Sequence, residues 1–450
     1  MDQKEVIQLN TDNFFEISPV DGRYYNLVSE LSEIFCEFAL TKKRISIEIE
    51  YLKAFLRELQ IDFDPEQLDR IKEKFSIEEM KKIKEFEAKT EHDVYAVVEF
   101  LKENVPANLK TFVHFGLTSE DVNNLCYGLM LKEGRTVILK NLKDVIETLL
   151  SKSEKFASLS MLSFTHGEPA TPTTLGKQFI NYAVRLSTLY KDLKDVEIEG
   201  KIGGATGGYN ALSAIYPQVD WVSFSLNFVR ALGLKPNIFV TQILPSDSYA
   251  KLFDTLKRIS SVIIDLDRNI WNYFLIGYMA FTSSKESVGS STMPHKINPI
   301  KFENSEGNAE LAETMFGFLS SKLLKSRLQR DLTDSTVKRN IGLPFAYLLI
   351  SLKMLKSGLP KIKIQEERIK EDLANHPEIF SELLHLILRK KGEDAYDEVK
   401  KLLRERKGDF LKELDRIIGP DKKIKEDFIQ GVSQKLVEKG KEIIRKNISD

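Results

Sequence analysis

Cysteine is almost missing from this chain: 450 residues carry two, Cys36 and Cys126. They lie far apart and form no CxxC pair, which speaks against a disulfide framework and against a cysteine zinc site. Two buried thiols in a reducing compartment are expected instead. Six scattered histidines make no HExxH pair and show no metal-ligand spacing, so no metal is expected. No apolar run approaches the ~20 residues of a membrane span. The first residues, Met-Asp-Gln-Lys-Glu-Val, lack the apolar core of a signal peptide, and the cytoplasm is the expected compartment. An excess of either charge is also absent. Lys+Arg number 66 against 67 Asp+Glu, a net charge of -1. A general nucleic-acid binder would carry a basic excess, so none is expected, whereas a small anion needs only a few local Arg and Lys. There is no GxxxxGK[ST] phosphate loop. Gly203-Gly-Ala-Thr-Gly-Gly208 lacks GxGxxG spacing and a leading strand, and reads as a tight turn or small hairpin. No internal repeat and no low-complexity segment is visible.

What is present is helical periodicity in a soluble, globular composition, 42% hydrophobic and 30% charged. The length suits about three domains. Residues 1–115 form a first, mostly helical unit, with Ile34, Phe38, Ile45, Ile49, Leu52 and Leu56 recurring at helical spacing. A charged helix follows near 66–88. Residues 116–358 differ in scale. Single helical faces run through Ile138, Leu142, Val145, Ile146 and Leu149, through Leu175, Phe179, Tyr182, Leu186, Leu189 and Leu193, and through Leu252, Leu256, Ile259, Ile263, Leu266, Ile270 and Phe274. Two more patterns cover 304–325 and 343–355. Helices of roughly 25–35 residues would be about 40–50 Å long, and five in series imply an all-α protein built on an elongated bundle. So much apolar surface implies several buried faces, and hence an oligomer. Residues 359–450 return to short, charged helices that read as a solvated third domain.

Polar clusters sit at the interruptions between helices. They are Ile17-Ser-Pro-Val-Asp-Gly-Arg-Tyr24, Glu91-His92-Asp93, and His114-Phe-Gly-Leu-Thr-Ser-Glu-Asp121. Two others are Thr165-His-Gly-Glu-Pro-Ala-Thr-Pro172 and Arg327 to Arg339. The densest is Ser287-Val-Gly-Ser-Ser-Thr-Met-Pro-His-Lys-Ile-Asn-Pro299, a loop of turn formers and reactive side chains between two long helical patterns. Singly, each has an ordinary structural explanation. Thr118 or Ser119 could cap a helix with Asp121 in its first turn. His166 could be a satisfied loop histidine, and Arg330 to Arg339 a solvated helix end. Together they mark the ends of a bundle as a site.

Gly289 to Pro299 resembles the signature of the fumarase/aspartase superfamily. The opening loop, Thr118-Ser-Glu-Asp-Val-Asn-Asn124, Thr165 to Pro172 and Gln329 to Arg339 resemble, within it, the bacterial adenylosuccinate lyase family. The likeness runs from about residue 17 to about 342. It implies a three-domain, all-α fold with a central long-helix bundle, a homotetramer with active sites shared between subunits, and no cofactor. The implied reaction is β-elimination of fumarate from adenylosuccinate, giving AMP. A second substrate is the succinyl-carboxamide ribotide of purine synthesis, giving aminoimidazole carboxamide ribotide. Within the superfamily, argininosuccinate lyase, fumarase and aspartase are the nearest rival activities. An inactive helical scaffold is a rival of another class.

The same resemblance implies roles. Ser290 matches the general base and His166 the acid that protonates the leaving nitrogen. The chemistry alone does not separate Ser290 from Ser291. His92 matches a second histidine that orients substrate. Lys296, Asn298, Thr118 and Ser119 match groups on the succinyl carboxylates. Arg23, Tyr24, Arg330, Ser335 and Arg339 match groups on the nucleotide side, where arginine suits bidentate phosphate contact. Gln242 and Asn304 match further substrate contacts, and Glu91, Asp93, Ser291, Ile297, Thr336, Val337 and Lys338 stand among the substrate-contacting positions. Two residues depart from the family pattern, Glu91 for Asn and Glu168 for Gln. Both add negative charge beside an anionic substrate, so each is expected to turn away or to pair with a cation. The signature loop is expected to be mobile and open without substrate.

Overall fold

The structure, a computed structural model, describes residues 16–281, 293, 297–405, 407–418 and 422–449. The opening turn leads into α1 (Tyr25–Phe35), α2 (Glu37–Glu58), α3 (Pro65–Glu73), α4 (Ile77–Thr90) and α5 (Asp93–Asn104). The charged stretch near 66–88 is two helices, not one. Ser76 interrupts it: its hydroxyl accepts from the Glu78 N–H, and the Glu79 carboxylate accepts from the Ser76 N–H at 3.2 Å. This capping box starts a new helix inside the charged run.

Next come α6 (Ser119–Lys155), β1 (Ser160–Thr165), β2 (Glu168–Thr174), α7 (Leu175–Lys194), β3 (Glu199–Gly200), α8 (Asn210–Ile215), α9 (Trp221–Ala231), β4 (Lys235–Pro236) and α10 (Asp247–Leu275). After them lie β5 (Met279–Phe281), α11 (Ile300–Leu323), α12 (Thr333–Lys338), α13 (Gly342–Gly358) and β6 (Ile362–Ile364). Short helices close the described chain: α14 (Glu366–Asn375), α15 (Ser381–Lys390), α16 (Tyr396–Glu405), α17 (Lys407–Ile418), α18 (Lys422–Gln430) and α19 (Ser433–Ile448).

The fold is all-α, and its strands among the described residues form three two-stranded pieces. β1 and β2 are antiparallel, β3 and β4 parallel, β5 and β6 antiparallel. α6 has 37 residues and is about 56 Å long. α10 and α11 have 29 and 24 residues. α7 and α13, with 20 and 17, fall short of the expected length. α7 begins only after a strand that contains Pro169 and Pro172, and α13 stops at Gly358, two residues before Pro360. No described helix is long and apolar enough to cross a membrane.

The chain divides into two compact units. The first contains Met1–Lys140, Asp192–Ser260 and Asn308–Ile350. Its core includes Ile45, Ile49, Leu52 and Leu56 of α2 against Val97, Phe100 and Leu101 of α5. Tyr51 meets Phe224 and Phe228 edge-on, and Phe316 of α11 stacks on Phe253 of α10 and meets Phe345 of α13 edge-on. The second contains Asn141–Lys191, Ser261–Gly307 and Ser351–Asp450. There Gly440 of α19 lets that helix lie against Ile180 of α7, and the Ser305 and Ser351 hydroxyls bond at 2.9 Å across α11 and α13. Leu384, Val399, Phe410 and Leu414 make a small core for the C-terminal helices. Cys126 is buried, its thiol pushed up to about 12 by burial. Cys36, expected to be buried, is half-buried; it caps α2, its sulfur accepting from the Ala39 N–H.

Candidate active site

In the first unit three helix junctions converge on a pocket of about 310 Å³. Its first wall is the junction of α4 and α5. Glu91 ends α4 in the left-handed region (φ 53°), its N–H bonded to the Glu87 carbonyl at 2.8 Å. His92 caps α5: Nδ1 accepts from the Tyr95 N–H at 3.1 Å, and Nε2 lies 3.3 Å from Ser119 Oγ. With Nδ1 used as an acceptor, the neutral ring carries its proton on Nε2 and donates it to Ser119. The Asp93 carboxylate accepts from Val94 N–H at 2.9 Å, from Arg44 at 2.6 Å and from Arg339 at 2.8 Å. Burial pushes its pKa up, but the two guanidiniums outweigh this and hold it below the usual aspartate value.

The second wall is the start of α6. The Thr118 N–H and hydroxyl both donate to Asp121 Oδ2, at 2.8 and 3.2 Å. Asp121 is buried, and its other oxygen accepts from Lys201 Nζ at 2.7 Å and from the Gly203 N–H at 2.9 Å. Asn124 bonds the Lys201 backbone in both directions. The glycine-rich stretch is thus a brace for the start of α6. It turns through Gly204 and Gly207 with φ of 72° and 83°, and a side chain on Gly207 would strike the Val240 carbonyl. His114, from the same cluster, is committed elsewhere: its ring bonds the buried Glu48 carboxylate at 2.6 Å. Burial pulls the imidazole pKa down, but the Glu48 charge raises it by more.

The third wall is the segment leading into α12. Arg330 donates to Gln242 and to Ser335, both at 3.1 Å, and lies 3.8 Å from Glu120. Gln242 also donates to the Ala205 carbonyl at 3.0 Å. Lys338 is buried, bonded to Glu120 at 2.7 Å and to Asp334 at 2.8 Å. Burial alone would lower its pKa, and the two carboxylates raise it above the usual lysine value. Thr336 is exposed and Val337 half-buried on the same short helix, and Arg339 is half-exposed. Arg339 also lines a smaller cavity of about 190 Å³ with Val20 and Asp21 of the opening turn. In that turn the exposed Arg23 sits 5.9 Å from the Tyr24 ring centroid.

His166 belongs to the second unit. It occupies the turn of the β1–β2 hairpin with Gly167, between the paired Thr165 and Glu168. Both turn residues have positive φ, 55° and 84°, as a two-residue hairpin turn of the mirror type requires. The histidine and Glu168 are exposed. Ile297 is exposed and Asn298 half-buried just before α11, and Asn304 is half-buried on it. Ser290, Ser291 and Lys296 lie outside the described residues.

The structure therefore brings together His92, Asp93, Thr118, Ser119, Gln242, Arg330, Ser335 and Arg339, with Glu91 on the pocket rim. Reasoning from sequence missed Arg44, Asn123 and Tyr127 in that pocket, and Lys201 and Glu120 behind it. Arg44 left one readable hint, a charged residue directly beside Ile45 on a helix whose apolar periodicity marks it as inward-facing, although Glu48 and Lys53 are buried on that helix too.

The pattern extends to other proteins. Residues 22–312 match the lyase family, and residues 326–436 match the adenylosuccinate lyase C-terminal family. Two solved structures share the fold. One is a fumarate lyase from Mesorhizobium sp. BNC1, with a TM-score of 0.76 and 16% identity over 92% of this chain and 97% of that one. The other is a 3-carboxy-cis,cis-muconate lactonizing enzyme from Pseudomonas putida, with a TM-score of 0.75 and 16% identity over 94% and 98%. Fold and family together define a lyase of the fumarase/aspartase superfamily. Adenylosuccinate lyase of Escherichia coli (strain K12) is 42% identical over 407 residues, covering 87% of this chain and 89% of the relative. The enzymes of Vibrio cholerae (strain ATCC 39541) and Legionella pneumophila (strain Corby) are each 41% identical, over 87% and 86% of this chain and 90% and 88% of theirs. The chain belongs to the adenylosuccinate lyase family.

Proposed function

We propose that the chain eliminates fumarate from adenylosuccinate, releasing AMP, and from the succinyl-carboxamide ribotide, releasing aminoimidazole carboxamide ribotide. Ser290 takes the carbon-bound proton beside a carboxylate. The C–N bond then breaks, and His166 protonates the departing nitrogen. A serine hydroxyl is a poor base until its anion is stabilised, a task for Lys296 and the backbone N–H groups of residues 289–291. Ser291, Ile297, Asn298 and Asn304 complete that side of the substrate. The observation that carries this reading is the convergence of the Arg330 and Arg339 guanidiniums, Ser335 and the His92–Ser119 pair on one pocket. Two planar cations with a hydroxyl suit a phosphate dianion, which favours a nucleotide over the substrates of argininosuccinate lyase, fumarase or aspartase. Arg23 and Tyr24 join them on the phosphate.

The working form is a homotetramer in which other copies complete each site, within the cytoplasm and with the chain arranged as domains 1–115, 116–358 and 359–450. α11 supports the assembly. It buries Ala312, Phe316 and Leu319 on one face while Leu311 and Phe318 stay exposed on another, apolar surface of the kind that subunits cover. Ultraviolet absorbance of adenylosuccinate mixed with the protein tests the activity, and mass measurement in solution tests the assembly. An unchanged spectrum refutes the first and a monomer refutes the second.

A further inference from the structure

We infer that Asp93 is a positioning residue for Arg339, and that Arg44 is the buried partner that makes this possible. The inference rests on the nucleotide reading of the pocket. Arg44 projects from α2 and is 4% exposed. Its guanidinium is divided between two clusters that are remote in sequence. Nε donates to Asn123 on α6 at 2.9 Å, and Nη2 donates to Asp93 at the start of α5 at 2.6 Å. Asp93 Oδ2 also accepts from Arg339 at 2.8 Å, so one carboxylate oxygen bridges a buried cation and a half-exposed one. The other oxygen is held by the Val94 N–H. The carboxylate thus accepts from both arginines and the backbone, and its charge would repel a phosphate. Its physical effect is to fix the Arg339 guanidinium, cutting the rotamer freedom lost when that arginine meets an anion. Arg44 supplies the second positive charge that lets the carboxylate hold Arg339 without cancelling the positive field of the pocket.

The test compares Asp93→Asn, Arg339→Met and the double variant. Asp93→Asn keeps the acceptor for Val94 and loses the charge. Losing a charged hydrogen bond that orders Arg339 should raise KM for adenylosuccinate roughly tenfold or more, with kcat changed far less. In the Arg339→Met background the same change should raise KM no further. Independent, multiplying effects on KM would overturn the inference, as would a fall in kcat with KM unchanged. A lower melting temperature with normal KM in both variants would mark a merely structural role, which also overturns it. A crystal structure of Asp93→Asn reads the claim without turnover: Arg339 should leave its present rotamer, and an unmoved guanidinium refutes the inference. If the parent protein does not turn over adenylosuccinate, the functional reading falls while the crystallographic result still decides the positioning.

Discussion

Asp267 lies in the middle of α10 with no exposed surface. Among the described residues neither carboxyl oxygen makes a well-formed hydrogen bond. Burial pushes its pKa well above the usual carboxyl value, the nearby Ser305 hydroxyl opposes this only in part, and Glu306 adds to it. Below the unfolded value of ~3.9 the group is protonated in both states and has no effect on stability. Above it the unfolded chain releases the proton while the folded chain keeps it, so folding loses ~1.4 kcal/mol per pH unit until the folded value is reached. Asp267→Asn removes the titration and keeps the size. Its amide can use the nearby Ser305 hydroxyl, which now bonds that of Ser351. The stability of the variant relative to the parent should therefore grow as pH rises above the unfolded value, by ~1.4 kcal/mol per pH unit, until the folded value is reached. Urea unfolding of both proteins at pH 5, 6 and 7 measures the difference, and the pH at which it stops growing reads the folded pKa. A difference that does not vary with pH, or an asparagine variant less stable throughout, would mean that the native carboxylate is ionised and paired.

Ser290→Ala and His166→Ala should each reduce turnover by about 10²–10⁴-fold while the mass in solution stays unchanged, and full activity in either overturns its assigned role. Glu91→Asn and Glu168→Gln should leave KM within about fivefold of the parent, because both side chains are exposed and screened; large improvements in both would refute the expectation that each turns away or is neutralised. Glu91→Asn should also stabilise the α4–α5 junction by up to about 1 kcal/mol, since asparagine tolerates the left-handed backbone better; differential scanning calorimetry decides. Lys338→Met strands the buried Glu120 and Asp334 carboxylates and should cost about 3–5 kcal/mol of stability, read as a lower urea midpoint; a loss below 1 kcal/mol would contradict the buried network.

Much of the fold was legible because helices announce themselves locally. The apolar positions expected for the long helices, such as Leu142, Ile146 and Leu149 or Leu252, Leu256 and Ile263, are buried, except that Phe274 is half-buried. Thr118 stands before the first turn of α6 and Asp121 reaches back to its N–H and hydroxyl, the backbone half of the capping that Thr118 or Ser119 suggested. Two local signals were overlooked. Ser76 with Glu79 starts α4, and His166-Gly167 makes a hairpin turn where only a loop between helices was expected, because the flanking strands are short and rich in threonine and proline. Lys338 stood among the substrate-contacting positions because it sits between Ser335 and Arg339. Its burial against Glu120, 218 residues earlier, could not be read from that neighbourhood.

The sequence alone determined which stretches are helical, where they begin, and which polar clusters fall at their ends, since these depend on neighbours within a turn or two. The clusters also carried the family likeness, because chemistry demands particular side chains at rigid local spacing. Only the tertiary structure decided what each polar group does. Asp93 is spent on Arg44 and on Arg339, which is 246 residues away. Asp121 is spent on Lys201. Such pairings follow from desolvation: a buried charge must find an opposite charge, and long-range packing alone determines which one is within reach.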